Sequence, residues 1–257
     1  MSQFLNMTRK EFEMSARRIG LWVAFSILFI FYTSVNLVGS INGSQKMIDP
    51  TNIWPAAAHE AFKLNLFIPL LAGILAADRL FRDYREGVNE LQESAPVSRQ
   101  KTVMAKYFGV LLSLLLPCLI IVLFDGGVLV ATGLASWRFM GCFLIASLVM
   151  NVPAIAFVTA FSLACPMIMP VRVYQVLFTG YWFWGNFLSP KVFPTVSGTL
   201  LNVSGTFALG GFFNGEVDPS ITYNSTQAIL NLVVIFSMIA AVLFALIQVL
   251  VHRELKK

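Results

Sequence analysis

The sequence predicts an all-α, polytopic membrane protein with about six transmembrane helices. Three observations predict it. Hydrophobic residues are 57% of the 257 while charged residues are 12%, about half the charged share of a soluble domain. The mean hydropathy is +0.75. The basic residues fall in short blocks between long apolar runs, the pattern of a membrane topology signal. The net charge of +5 therefore implies no nucleic-acid partner, and the chain reads as a single transmembrane domain over 1–257.

The first element, residues 1–19, is amphipathic. Phe4, Leu5, Phe12 and Met14 alternate with Arg9, Lys10, Glu11, Glu13, Arg17 and Arg18. A helix of this kind lies in the headgroup plane with its basic residues on anionic lipid. It either only sets orientation or forms an elbow leading into the first span. A cleavable signal peptide is not expected, because the segment is charged and no small-residue cleavage site follows the first apolar run.

Six segments approach the roughly 20 apolar residues that a spanning helix needs. They are 20–38, 62–77, 104–124, 139–165, 173–188 and 228–251. The second and fifth are short, and the fourth is long enough to tilt. Pro117 and Pro153 lie inside the third and fourth and predict kinks. Of the 18 Lys and Arg residues, 14 fall on one side of the implied topology and Lys46, Lys63, Arg138 and Lys191 on the other. The positive-inside rule makes the first side cytoplasmic, with both termini inside a cell (cytoplasmic) membrane. The last external segment, 189–227, has an apolar centre from Thr206 to Phe213. It is too short to span and reads as re-entrant or interfacial.

The polar inventory excludes several chemistries. Cys118, Cys142 and Cys165 all sit in apolar runs as small packing residues. No CxxC occurs and His59 is far from His252, so no metal site is expected. The spans hold no ionisable residue well inside, with Asp78, Arg79, Asp125 and Arg138 at their ends. Ion-coupled carriers and intramembrane enzymes usually need one. The chain also has no phosphate-binding loop, so it is not expected to be an enzyme or to hydrolyse ATP itself. Remaining polar residues such as Asn36, Ser147, Asn151, Gln175 and Asn186 either bond neighbouring helices or line a substrate path. The path candidates are Asn36, Asn151, Gln175, Trp182, Asn186, Phe207 and Phe212.

The stretch between the second and third spans is the most charged. Arg82, Glu86, Glu90 and Glu93 recur at helical spacing, and Arg82 can pair with Glu86 on one face. Val88 and Leu91 form a small apolar edge. Gly87 suggests close approach of another backbone, and Pro96 ends a helix predicted over 82–95. This stretch is either a solvated linker or a grip for a soluble partner.

The run Glu86-Gly-Val-Asn-Glu90-Leu91, followed by Pro96-Val-Ser-Arg99 and then Lys106, resembles permease subunits of type-2 ABC transporters. That family carries Glu-Gly-Thr-x-Glu-x-Leu, then Pro-x-Ser-Arg and a Gly-Lys pair. Val88 and Ala105 depart from it. The resemblance implies a coupling helix that docks in a cleft of an ABC ATPase subunit through Arg82, Glu86, Gly87, Val88, Glu90, Leu91, Gln92, Pro96 and Arg99. It implies pairing with a second permease copy or a related permease, and membrane lipid as surroundings. No cofactor is bound by this chain, and ATP and Mg are used by the partner subunit. The function it implies is export of a hydrophobic or amphipathic substrate, such as a peptide, drug or lipid-like molecule. The rival is a non-transporting anchor or assembly factor that recruits a soluble partner through the same loop.

Overall fold

A computed structural model describes residues 2–41, 47–85, 87, 98–188, 194–216 and 221–254. Among them there are nine α-helices and no strand. They are α1 (Ser2–Ala16), α2 (Ile19–Ile41), α3 (Ile53–Ala76), α4 (Asp78–Arg85), α5 (Arg99–Ala131), α6 (Trp137–Ala164), α7 (Val171–Phe187), α8 (Thr206–Phe213) and α9 (Ser225–Glu254). Five segments are long and apolar enough to cross a membrane: Ile19–Gly39, Ile53–Asp83, Arg99–Ala131, Trp137–Met167 and Ser225–His252. The expected fifth span corresponds to α7, whose 17 residues reach about 26 Å against a hydrocarbon core of about 30 Å.

The centre of the bundle is α3 packed on α6. Both carry small buried residues: Ala57, Ala61 and Ala72 on α3, Ala146, Ala154 and Ala160 on α6. Small side chains let helix backbones approach closely where lipid removes the hydrophobic drive to associate. The helices α2 and α9 are peripheral. Only 22% and 28% of their apolar windows are buried, against 56–61% for the other three candidate spans. Their outer faces carry Ile27, Ile30 and Phe31, and Val233, Phe236 and Phe244. In water such faces would be a liability, and in lipid they are the expected exterior.

Several helix ends differ from the sequence expectation for one physical reason. Hydropathy treats a polar residue as a helix end, whereas a polar residue with a partner lets the helix continue. The second span begins at Ile53 and not at residue 62. His59, Glu60 and Lys63 lie within it, and Lys63 pairs with Glu60 at 2.6 Å. Asp49 starts the preceding turn by accepting from the Thr51 backbone N–H at 2.8 Å. The third span runs from Arg99 to Ala131 and not from 104 to 124. Asp125 is therefore not at a helix end. It is 2% exposed and accepts a hydrogen bond from Asn36. Pro69, Pro117 and Pro153 all lie within continuous helices. One turn before Pro69, the Leu66 carbonyl accepts from Trp182 Nε1 at 2.8 Å, a neighbouring helix supplying a donor beside the proline-opened ladder.

The predicted helix over 82–95 is corrected in part. Gly87 has φ +70, the left-handed region through which an α-helix cannot run. A Cβ there would meet nothing within 4 Å among the described residues, so among them backbone conformation, and not close approach, requires the glycine. Glu86, Val88, Glu90, Leu91, Gln92, Glu93 and Pro96 lie outside the described residues.

Candidate functional site

The candidate site begins where α1, α4 and α5 meet. On α1, Thr8, Glu11 and Ser15 are buried, at the spacings of three and four that define one helix face. The opposite face is solvated, with Glu13 accepting from Arg9 at 2.9 Å and from Lys10 at 3.2 Å. The two cations hold the Glu13 carboxyl below its ordinary range. The buried face lies on α5 over Gly109, where a Cβ would come within 2.5 Å of the Glu11 Cβ and 2.9 Å of the Phe12 nitrogen. Phe4 meets Phe108 edge to face, ring centroids 6.4 Å apart. The N-terminal helix is thus fixed across the third span.

A chain of buried ion pairs runs through this junction. Arg79 Nη2 donates to Glu11 Oε2, and Arg79 Nη1 donates to Asp83 Oδ1 at 3.4 Å. Lys106 Nζ donates to the other Asp83 oxygen. All four residues are buried. Helices α1, α4 and α5 are therefore joined by alternating charges that water does not screen, and removal of either inner member, Arg79 or Asp83, takes the partner from Glu11 or Lys106. Sequence reasoning missed this cluster because its partners lie 68 and 23 positions apart. The only signal was an Asp/Lys/Arg concentration at the ends of predicted spans.

The sequence-predicted path residues separate into two groups. Asn36 bonds Asp125 at 2.7 Å. Gln175 Nε2 donates to the Ile74 carbonyl at 3.1 Å, and Trp182 is fully buried with its indole on Leu66. Asn186 Oδ1 accepts from the Val203 backbone N–H at 3.0 Å. Phe207 is buried on α8, and Phe212 is half-buried. These six form the internal framework. Around α8, Asn65 and Asn231 donate to the carbonyls of Ser204 and Asn202 at 2.6 and 2.8 Å. That network seats the 194–205 segment and lets the apolar α8 turn inward between Gly205 and Asn214, both at positive φ.

Asn151 stands apart. It is fully buried, yet neither amide atom has a hydrogen-bond partner among the described residues, and the same is true of Ser147 Oγ one turn away. Both line a groove of about 850 Å³ between α1, α5 and α6. Its walls are otherwise apolar, among them Leu112, Leu116, Leu119 and Leu148, with Arg9 at its α1 edge. Of the predicted coupling residues, Arg82 is half-buried on α4 and Arg99 opens α5. Gly87 follows α4 in its left-handed turn.

A bundle of apolar helices with an amphipathic leader tied to its third span defines a multi-pass membrane component. The chain belongs to the ABC-2 family transporter proteins, whose signature matches residues 5–180, more than half of its length. No curated protein matches it significantly.

Proposed function

We propose that the protein is the transmembrane subunit of an ATP-driven ABC exporter for a hydrophobic or amphipathic substrate in the cytoplasmic membrane. The observation that carries this reading is the ion-pair chain Glu11–Arg79–Asp83–Lys106. It lies immediately before and after the charged loop that resembles a coupling element. A push on that loop, delivered by an ATPase subunit using ATP and Mg, would reach α4 through the backbone and α1 and α5 through the charges. Rigid coupled elements of this kind suit a switch between two arrangements of a bundle. Family membership supports a transporter role, and the missing phosphate loop supports a separate ATPase. The paired function of two permeases, identical or related, belongs to the same proposal.

The groove supports the substrate class. Apolar walls with an unpartnered amide and hydroxyl on one helix face suit a molecule with a long apolar part and a few polar atoms. The test is coexpression with candidate ATPase subunits. The expected result is an ATPase that copurifies and whose hydrolysis rises with an amphipathic substrate. The rate should fall to its basal value when Asn151→Leu and Ser147→Ala are combined. An ATPase that binds but is never stimulated, in a chain that confers no efflux, would leave a recruitment role in place of transport.

A further inference from the structure

Below the ion-pair chain, at the point where α1 ends and α2 begins, a cleft of about 350 Å³ opens between the two helices, α3 and α5. Its lining combines a polar part, Ser15, Arg18, Arg79, Arg82 and Ser113, with an apolar part that includes Leu21, Leu75 and Leu114.

The polar side has donors to spare. Arg18 Nε and Nη2 are buried with no hydrogen-bond partner among the described residues, and so are Ser15 Oγ and Arg79 Nε. Arg79 commits its other nitrogens to Glu11 and Asp83, so its Nε is the part left facing away from the ion-pair chain. Burial, followed by the neighbouring charges of Arg82 and Arg79, holds the Arg18 guanidinium below the ordinary arginine range, and Asp78 and Asp83 oppose them more weakly. Arg18 is half-buried, but its Nε and Nη2 are buried beside two more arginines, and buried N–H groups of a cation favour an anionic acceptor. A guanidinium fork is shaped for a phosphate or carboxylate.

The apolar side says which anion. The wall of Leu21, Leu75 and Leu114 runs out to the exposed apolar face of α2, where Ile19, Trp22 and Val23 are uncovered. A free inorganic anion needs no such wall, and an acyl chain does. The residues also sit at the first turn of a spanning helix, the level at which phospholipid headgroups meet the hydrocarbon.

We propose that this cleft is a binding site for one anionic glycerophospholipid. Its phosphodiester is held by Arg18, Ser15 and Arg79, and one acyl chain lies along Leu21 and Leu114. The lipid acts as a wedge that sets the angle between the elbow and the first span. The inference rests on the donors and the cleft, and does not depend on the transport reading.

The test is native mass spectrometry of the purified full-length chain, exchanged into detergent with phosphatidylglycerol or phosphatidylcholine. The expected result is one retained phosphatidylglycerol per chain and no retained phosphatidylcholine. Arg18→Gln lowers that occupancy at least tenfold, and Arg18→Lys lowers it less. Lys10→Gln, on the solvated face of α1, leaves it unchanged. Equal retention by wild type and Arg18→Gln overturns the proposal. Displacement of the lipid by an equal concentration of inorganic phosphate or glycerol phosphate also overturns it, because the cleft then holds a free anion. Should Arg18→Gln fail to fold, wild-type protein photolabelled with a diazirine phosphatidylglycerol decides the matter. Labelling in residues 15–22 or 110–114 supports the site, and labelling only elsewhere rejects it.

Discussion

Asn36 and Asp125 meet across 89 positions of sequence, the Asn36 amide Nδ2 donating to Asp125 Oδ1 at 2.7 Å. Both side chains are buried, so the bond pins the peripheral α2 to α5 at a level where water does not compete. Asn36→Leu takes this amide donor from a buried carboxylate. The expected cost is about 1–3 kcal/mol, seen as a lower thermal unfolding midpoint in detergent. Asp125→Leu in the same chain should recover much of it, since the buried carboxylate is then no longer left without this donor. A double variant as unstable as the Asn36 single would show that the bond is not what fixes the two helices.

Asp83 is the shared acceptor of the ion-pair chain, serving Arg79 at 3.4 Å and also Lys106. Asp83→Asn should therefore be the most damaging single change at this junction, because buried Lys106 loses its carboxylate acceptor while Arg79 is left with Glu11 alone. A loss of about 3–5 kcal/mol is expected for breaking a buried pair. Glu11→Gln leaves Arg79 still paired with Asp83 and should cost less. Monodisperse yield after size exclusion, and the midpoint of a thermal melt, rank the two. The reverse order would mean that α1, and not α4, anchors the cluster.

Gly109 predicts a steric effect. A side chain there collides with the α1 backbone at Phe12 and with Glu11. Gly109→Val should lift the elbow from α5 without unfolding the central α3–α6 pair. Disulfide trapping between cysteines placed at Phe4 and Phe108, which are adjacent in the wild type, should then fall several-fold. Undiminished trapping would show that α1 is held by its ion pairs alone.

Gly87 separates conformation from docking. Its φ of +70 costs an ordinary residue about 1–2 kcal/mol, and asparagine tolerates that region better than alanine. Among the described residues nothing lies within 4 Å of a Cβ built there, so Gly87→Asn and Gly87→Trp should both express normally. Loss of ATPase copurification for Trp but not Asn identifies a partner surface at this point. Equal copurification for both would reduce the loop to a linker.

Topology is tested by an impermeant thiol reagent on whole cells, in a chain without its native cysteines. Cysteine at Lys46 and Lys191 should label, and cysteine at Arg99 and Lys257 should not. Ready labelling at Arg99 contradicts an inward charged loop.

Much of this architecture was legible in the sequence because lipid imposes a simple code. Long apolar runs become helices, so 20–38, 139–165 and 228–251 anticipate α2, α6 and α9 to within a few residues. The code fails where a polar residue finds a partner. The sequence pattern puts Asp125 at a helix end and His59 before a helix, yet both lie within helices, Asp125 with a partner. Arg82 and Gly87 were visible as parts of a family-like motif, but the left-handed turn at Gly87 was not, since glycine also serves close packing. Glu11, Arg79 and Lys106 were legible only as charges near predicted ends. Their convergence depends on α1 folding back over Gly109, which no local pattern encodes.

The 33 residues of α5 make a rod of about 50 Å, some 20 Å longer than the hydrocarbon is thick. With Pro117 as the fulcrum, the arm from Arg99 is about 27 Å and the arm to Ala131 about 21 Å. Each ångström of sideways displacement at the Arg99 end then becomes about 0.8 Å in the opposite direction at the far end. Asp125, eight residues beyond the fulcrum, would draw Asn36 along by less than half that amplitude. A lever of such nearly equal arms trades almost no stroke for force, and both sides of the membrane would move in step.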